Sequence, residues 1–290
     1  MKIILALDSS AESQVAVAEV AARPWPQGTA VEVTSVVDLT YGWNAPGLSE
    51  ALMQSAESAV RSAAERIKLA GLTSSRLVLT GDPKATVVDH AAQAGADLLV
   101  VGSHEHSDVA RFLLGSVARS VVRHASCSVE IVRPRSSDGA MKLLLATDGS
   151  KCSLDAARSI AARPWPKGTE VRIVSVVELS PAWFRAPYPA YFDPKAMEDL
   201  RGSAMKAAQK AIAEAEETIQ AAGLAESGTV CIPTASPQEM ILQEATAWGA
   251  DMIVVGSHGR RGASRFLLGS VSEPIAYHAN CSVEIIRSRP

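Results

Sequence analysis

Polar and apolar residues along the opening stretch separate cleanly by spacing. After Lys2, the run Ile3-Ile-Leu-Ala-Leu7 has no polar interruption. Such a run predicts a strand buried on both faces of a parallel sheet, since a half-exposed strand would alternate. Apolar residues then recur at helical spacing over 11–22, and the Pro24-Trp-Pro26-Gln-Gly28 cluster stops that helix. A second strand is predicted over about 30–37, followed by a loop and a long helix to about Ala70, with Gly71 as its C-terminal cap. A strand near 76–80, a helix at 84–94 and a strand at Leu98–Val101 come next. A helix starting near Ser116 and a strand at 128–132 close the series. Strand–helix alternation with crossovers of about ten or more residues predicts an α/β fold, a doubly wound parallel sheet of Rossmann-like type. Ligands of such sheets bind beyond the carboxyl ends of the strands, where the strand order reverses.

The whole pattern occurs twice. Met1-Lys-Ile-Ile-Leu-Ala-Leu-Asp8 returns as Met141-Lys-Leu-Leu-Leu-Ala-Thr-Asp148, and Ala21-Ala-Arg-Pro-Trp-Pro26 as Ala161-Ala-Arg-Pro-Trp-Pro166, both at an offset of 140. Arg111-Phe-Leu-Leu-Gly-Ser-Val117 returns as Arg265-Phe-Leu-Leu-Gly-Ser-Val271, and Cys127-Ser-Val-Glu-Ile131 as Cys281-Ser-Val-Glu-Ile285, at an offset of 154. The second copy therefore carries fourteen extra residues, most of them between Val177 and Gly223. Pro134-Arg-Ser-Ser-Asp-Gly139 is a polar linker. The expected organisation is two tandem domains, 1–136 and 141–290.

Composition narrows the function classes. Hydrophobic residues make up 47% and charged residues 20%, values of a packed protein rather than a disordered one. A net charge of −3, with no basic run, predicts no nucleic-acid partner, and no stretch is long enough to span a bilayer. The four cysteines show no metal-type spacing. No secretory signal pattern opens the chain, so a reducing cytoplasmic setting is expected.

Candidate chemistry gathers in Val254-Val-Gly256-Ser-His-Gly259-Arg-Arg-Gly262-Ala-Ser-Arg265-Phe-Leu-Leu-Gly269-Ser270-Val271, between a predicted strand and a predicted helix. Glycines let the backbone approach an anion, and free N–H groups near Gly269 and Ser270 at the helix start would add partial positive charge. Arg260, Arg261 and Arg265 could supply charge-assisted contacts to phosphate oxygens. A tight turn whose glycines serve packing is the plainer alternative.

Gly256-x2-Gly259-x9-Gly269-Ser270, the opening Thr147-Asp148 and the closing Ser282-Val-Glu-Ile-Ile286 resemble the universal stress protein family, twice over and across essentially the whole chain. That resemblance implies ATP binding, with Mg²⁺ accompanying the nucleotide, and two copies packed as an intrachain pseudo-dimer through their last strands. Carried over residue by residue, it implicates Ala146, Thr147 and Asp148 after the first strand and Val176 at the end of the second, beside the adenine. Gly256, Ser257, Gly259, Arg260, Gly269, Ser270, Val271 and Ser272 are implicated on the phosphate side. It further implies a stress-response sensor or regulatory module, and leaves a homodimer of whole chains open.

The first copy departs from the pattern. Glu105 replaces the second motif glycine and Leu7 replaces Thr147. Residues 103–114 carry a formal charge of −1, against +3 over 257–268, so the first site is read as degenerate. Asp8 is read as a helix cap and Asp148 as a ligand residue. His104-Glu105-His106 lacks further ligands and is not assigned a metal. Ser180–Asp193 holds five of the chain's thirteen aromatics and is a candidate lid. No catalytic residue is assigned, because no paired carboxylates or evident general base converge on a γ-phosphate. Slow ATP hydrolysis or self-phosphorylation through Lys151, Ser257 or Ser270, and a scaffold that binds no nucleotide, stand as alternatives.

Overall fold

The computed structural model describes every residue except 9, 41–45, 104–113, 136–138, 178–193, 232–235, 260–267 and 289–290. The candidate lid, the His-Glu-His triplet and Arg260, Arg261 and Arg265 thus lie outside the described residues. The first half runs β1 (Lys2–Leu7), α1 (Ala11–Ala22), β2 (Ala30–Val37), α2 (Pro46–Leu69), β3 (Thr73–Thr80), α3 (Pro83–Gln93), β4 (Leu98–Gly102), α4 (Ser116–His124) and β5 (Ser128–Val132). The second half repeats it as β6 (Lys142–Ala146), α5 (Lys151–Ala161), β7 (Glu170–Val176), α6 (Pro194–Ala221), β8 (Ala225–Cys231), α7 (Pro237–Trp248), β9 (Met252–Gly256), α8 (Ser272–His278) and β10 (Ser282–Ile286).

Local chemistry sets the ends of these elements. Ser10 caps α1 by accepting the Ser13 N–H, and Ser150 caps α5 through the Ser153 N–H. Proline after Arg23 forces that residue into extended backbone (φ −82, ψ 143) and ends α1. The Trp25 and Trp165 indole N–H groups then donate to the Val20 and Ile160 carbonyls at 2.8 and 2.9 Å, satisfying helix-end acceptors. Gly71 closes α2 in the left-handed region (φ +85), as its sequence position predicts. The third strand is longer than expected, starting at Thr73 rather than 76, because Thr73–Ser75 pair with Ala30–Glu32.

One helix start needs correction. A second-half helix opening at Ser270, by analogy with Ser116, is expected; α8 instead begins at Ser272. Pro274 occupies the place of Ser120 in the repeat and has no N–H to return to the Ser270 carbonyl. Starting two residues later puts the missing donor inside the first turn, where it costs nothing.

Among the described residues, ten strands join one sheet in the order β3-β2-β1-β4-β5-β10-β9-β6-β7-β8. Every neighbouring pair is parallel except β5 with β10, which is antiparallel. Each half is doubly wound, its order reversing between β1 and β4 or between β6 and β9. The halves meet through their last strands, so neither strand is left as an open edge.

The two faces of the seam differ. On one, Val129, Ile131, Val283 and Ile285 belong to a single apolar core that continues from one half to the other beneath α3, α4, α7 and α8. On the other, separate cores lie under α1–α2 and α5–α6. Between them Glu130 and Glu284, opposite each other in register, meet arginines from the helix ends. Arg23 Nη2 donates to both Glu130 oxygens at 2.7 and 2.8 Å, and Arg163 Nη2 donates to Glu284 at 2.6 Å. Each guanidinium also stacks on the tryptophan two residues along, 4.8 and 4.9 Å from the ring centre. Further clamps cross the seam symmetrically: Arg133 Nη2 donates to the Ala276 carbonyl at 2.7 Å and Arg287 Nη2 to the Val122 carbonyl at 2.6 Å. Burial pushes the Arg133 guanidinium down to about 10.

Along α6, Ala208, Ala211, Ala215 and Ile219 are buried, while Leu200 and Ala204 are only partly covered. No helix among the described residues is long and apolar enough to cross a membrane.

Candidate functional site

The second-half switch point brings together three segments: Thr147–Ser150 after β6, Ser257–Gly259 after β9, and Leu268–Ser272 leading into α8. Ala146 ends β6, buried between Val174 and Val255. Thr147 still donates its N–H to the Val174 carbonyl at 2.9 Å, and Gly149 then turns the chain with φ +74. Asp148 Oδ1 accepts the Ser150 N–H at 2.9 Å. Val176 ends β7, one strand further out, paired with Cys231.

The motif glycines have distinct jobs. At Gly256 a Cβ would fall 2.7 Å from the Cys152 carbonyl carbon, so only glycine lets the first turn of α5 cross the end of β9. Gly102 faces Glu12 in the same way at 2.9 Å. This glycine therefore has the packing role that the plainer sequence alternative offered for the whole loop. Gly269 donates its N–H to the Ser257 carbonyl at 2.8 Å, and a Cβ there would press on that carbonyl oxygen at 3.1 Å. Ser272 Oγ donates to the same carbonyl at 3.1 Å, so Ser257, Gly269 and Ser272 draw both ends of the loop together. Ser257 N–H in turn donates to the Ile286 carbonyl at 2.9 Å, fixing the loop to the sheet.

Gly259 lets the two loops approach. A Cβ there would come within 2.7 Å of Asp148 Oδ2, so glycine is what allows the loop after β9 to pass this close to the carboxylate. Ser150 Oγ donates to the His258 carbonyl at 3.4 Å and joins the two loops. Ser270 and Val271 sit in the turn preceding α8, and Val271 is that helix's N-cap residue (φ −103, ψ −49) without a side-chain cap. The structure thus gathers Ala146, Thr147, Asp148, Gly256, Ser257, Gly259, Gly269, Ser270, Val271 and Ser272 at the carboxyl ends of β6 and β9, with Val176 on the adjoining strand.

Sequence reasoning missed Ser150 and Ser153 as holders of the Asp148 turn. The repeated Asp-x-Ser-x-x-Ser spacing of residues 8–13 and 148–153 is the signal that could have found them. In the first half the cap is Ser10 and not Asp8, the residue expected from the sequence: Asp8 Oδ1 holds the turn before the helix, accepting from the Ser10 N–H at 2.9 Å, from the Ser13 hydroxyl at 2.6 Å and from the Ser10 hydroxyl.

The universal stress protein family model matches residues 1–133 and again 140–287. A universal stress protein of Mycolicibacterium smegmatis is 25% identical over 307 aligned positions, spanning 99% of this chain and 97% of that protein. Another from Mycobacterium tuberculosis is 30% identical over 220 positions, covering 71% of this chain and 66% of that protein. The crystal structure of a universal stress protein from Archaeoglobus fulgidus superposes with a TM-score of 0.67 at 22% identity, over 99% of this chain and 96% of that one. At that identity the structural match shows the shared fold and no more. Two successive family matches and relatives along the whole length mean that this chain belongs to the universal stress protein family, with the family's α/β unit present twice.

Proposed function

We propose that the chain binds ATP, with its accompanying Mg²⁺, in the second half only, and acts as a regulatory or sensing module of the cytoplasm rather than as a dedicated catalyst. The observation that carries this reading is the Gly259 cradle. A loop whose ends are tied together by Ser257, Gly269 and Ser272 brings the Gly259 backbone so close to the Asp148 carboxylate that a Cβ there would meet Oδ2 at 2.7 Å. The residues fit the group. Backbone N–H groups of a glycine loop suit phosphate oxygens, and a carboxylate at the strand end suits ribose hydroxyls or the cation. Asp148, Ser270 and Ser272 would supply hard oxygen atoms, Ala146 and Val176 an apolar flank for the base, and Arg260 a charge on the phosphate side. The bound nucleotide would bring its own anhydride chemistry, which these residues are placed to hold and orient.

The first-half sequence puts a side chain where this cradle has a glycine. Glu105 stands where Gly259 does, and Asp8 is consumed by hydroxyls at the start of α1. Domain limits near 1–136 and 141–290, one of them degenerate, follow from the same reading, and a dimer of whole chains is compatible with it.

Calorimetric titration of nucleotide-stripped protein with Mg-ATP, beside Gly259→Glu, tests the proposal. One site per chain, lost in the variant, is the expected result. Two sites would refute the degeneracy of the first half. No heat of binding in either protein would leave a scaffold that binds no nucleotide.

A further inference from the structure

Helix α8 has seven residues, too few to hold its shape without outside support, and its first turn carries the end of the glycine loop. The Glu273 N–H donates to the Gly269 carbonyl and the Ile275 N–H to the Val271 carbonyl, both at 3.2 Å. Wherever α8 stands, Gly269–Ser272 stand with it. Two of its supports come from the first half. At the far end, Arg133 Nη2 donates to the Ala276 carbonyl at 2.7 Å and Nη1 to the Cys281 carbonyl at 3.1 Å. The Ala276 carbonyl lies in the last turn, where helices run out of their own donors and a cation is favoured. At the near end, Arg123 of α4 donates through Nε to Glu273 Oε1 at 2.7 Å, and the Tyr277 hydroxyl donates to the same oxygen at 2.7 Å. The Arg123 guanidinium also sits 5.9 Å from the centre of the Tyr277 ring.

The repeat supplies a comparison. Helix α4 is the counterpart of α8, and Arg287 donates to its Val122 carbonyl at 2.6 Å as Arg133 does to Ala276. At the start of the two helices the likeness stops. Arg119 stands in the place of Glu273, and its Nε donates to the Leu114 carbonyl at 2.6 Å, inside its own half. The side chain that ties the start of α8 across the seam is thus turned inward in α4. Arg133 is only 8% exposed, so water is poorly placed to replace the bonds it makes.

We propose that Arg133, assisted by Arg123, is a positioning residue for the nucleotide site: the first half grips α8 at both ends and so sets where Gly269–Ser272 stand. The half with the degenerate loop serves the other half's ligand without touching it. This rests on the second half being the nucleotide site.

The matched clamps test it in the full-length protein. Arg133→Met keeps the stem and removes the donors, and Arg287→Met does the same to the clamp on α4. Both should lower the urea midpoint by similar amounts. In Mg-ATP titration, Arg133→Met should bind about three- to tenfold more weakly, the equivalent of one lost hydrogen bond, and Arg287→Met like the parent. In the nucleotide-free proteins, the Glu273 and Ile275 amides should exchange hydrogen faster in Arg133→Met than in Arg287→Met, while amides of β6 and β9 match. Parent affinity in Arg133→Met overturns the inference. So does equal weakening in Arg287→Met, which would trace the effect to overall stability. Should Arg133→Met fail to fold, Arg123→Gln decides: binding about two- to threefold weaker supports the inference, and parent affinity overturns it. A parent protein that binds no nucleotide would sink the functional reading. The exchange data would still decide the positioning, since unchanged protection of Glu273 in Arg133→Met overturns it.

Discussion

Replacing Arg23 by methionine should be among the most damaging single changes in this chain, and replacing Arg23 and Glu130 together among the most benign for their burial. Glu130 is fully buried, takes two bonds from one Arg23 amino group, and faces Glu284 across the β5–β10 ladder. Arg23→Met strands a carboxylate in the core beside a second one, a loss of about 3–5 kcal/mol. Arg23→Met with Glu130→Leu removes both charges and supplies apolar volume. By the same physics the pair should lie within about 1 kcal/mol of the parent, or exceed it. The stacking of Arg23 on Trp25, worth about 0.5–2 kcal/mol, is lost in both cases and cancels from the comparison. The pair should therefore be about 2–4 kcal/mol more stable than Arg23→Met alone, read from urea unfolding of the parent, the single variant and the pair, followed by tryptophan fluorescence. A loss below about 1 kcal/mol for Arg23→Met, or a pair as unstable as Arg23→Met alone, would refute the reasoning. Either result would mean that water or backbone movement relieves the stranded charge.

Other expectations follow from the same structure. Burial pushes the Glu130 carboxyl up, with Arg23 opposing and Glu284 reinforcing the shift. A carboxyl whose folded value is raised favours folding at low pH, and that contribution is lost as pH rises from its ordinary value of about 4.3 through the raised one. Glu130→Gln should remove that slope in thermal melts across a pH series, and an unchanged slope would assign it to other groups. Gly256→Ala should destabilise by about 1–3 kcal/mol, since its Cβ meets Cys152 backbone rather than a movable side-chain tip. Gly202→Ala, with nothing within 4 Å inside α6, should instead stabilise by about 0.5–1 kcal/mol in chemical denaturation. Pro274→Ala restores the missing donor, so the amide at 274 should be protected from hydrogen exchange as the helix extends to Ser270. An unprotected amide would point to the Leu268–Val271 turn, not the proline, as what delays the helix.

Much of the candidate site was legible because its parts follow strand ends, and strand ends follow apolar runs. Val254-Val-Gly256 reads as a strand running into a glycine, and the residues around Asp148 read as a strand running into a cap. Which glycine does what was not legible. Gly256 is demanded by Cys152, far away in sequence, and Gly259 by Asp148, facts that need the crossing of α5 over β9. Asp8 and Asp148 differ already in their sequence neighbours, Leu7 and Ser9 against Thr147 and Gly149, but only the structure shows that the Ser13 hydroxyl lies on Asp8 while its counterpart Ser153 donates to the Ser150 carbonyl.

The sequence by itself determined the duplication, the order of strands and helices, and the end of each sheet where a ligand would sit, because periodicity, capping residues and proline act over a few neighbours. Only the tertiary structure decided that Glu130 and Glu284 face each other, that the Arg-Pro-Trp-Pro corners deliver Arg23 and Arg163 to them, and that one face of the seam is apolar while the other is ionic. A glutamate inside an apolar strand signals a buried partner but does not say which. The answer depends on the register between two strands about 150 residues apart in sequence, a pairing set by the packing of both halves at once.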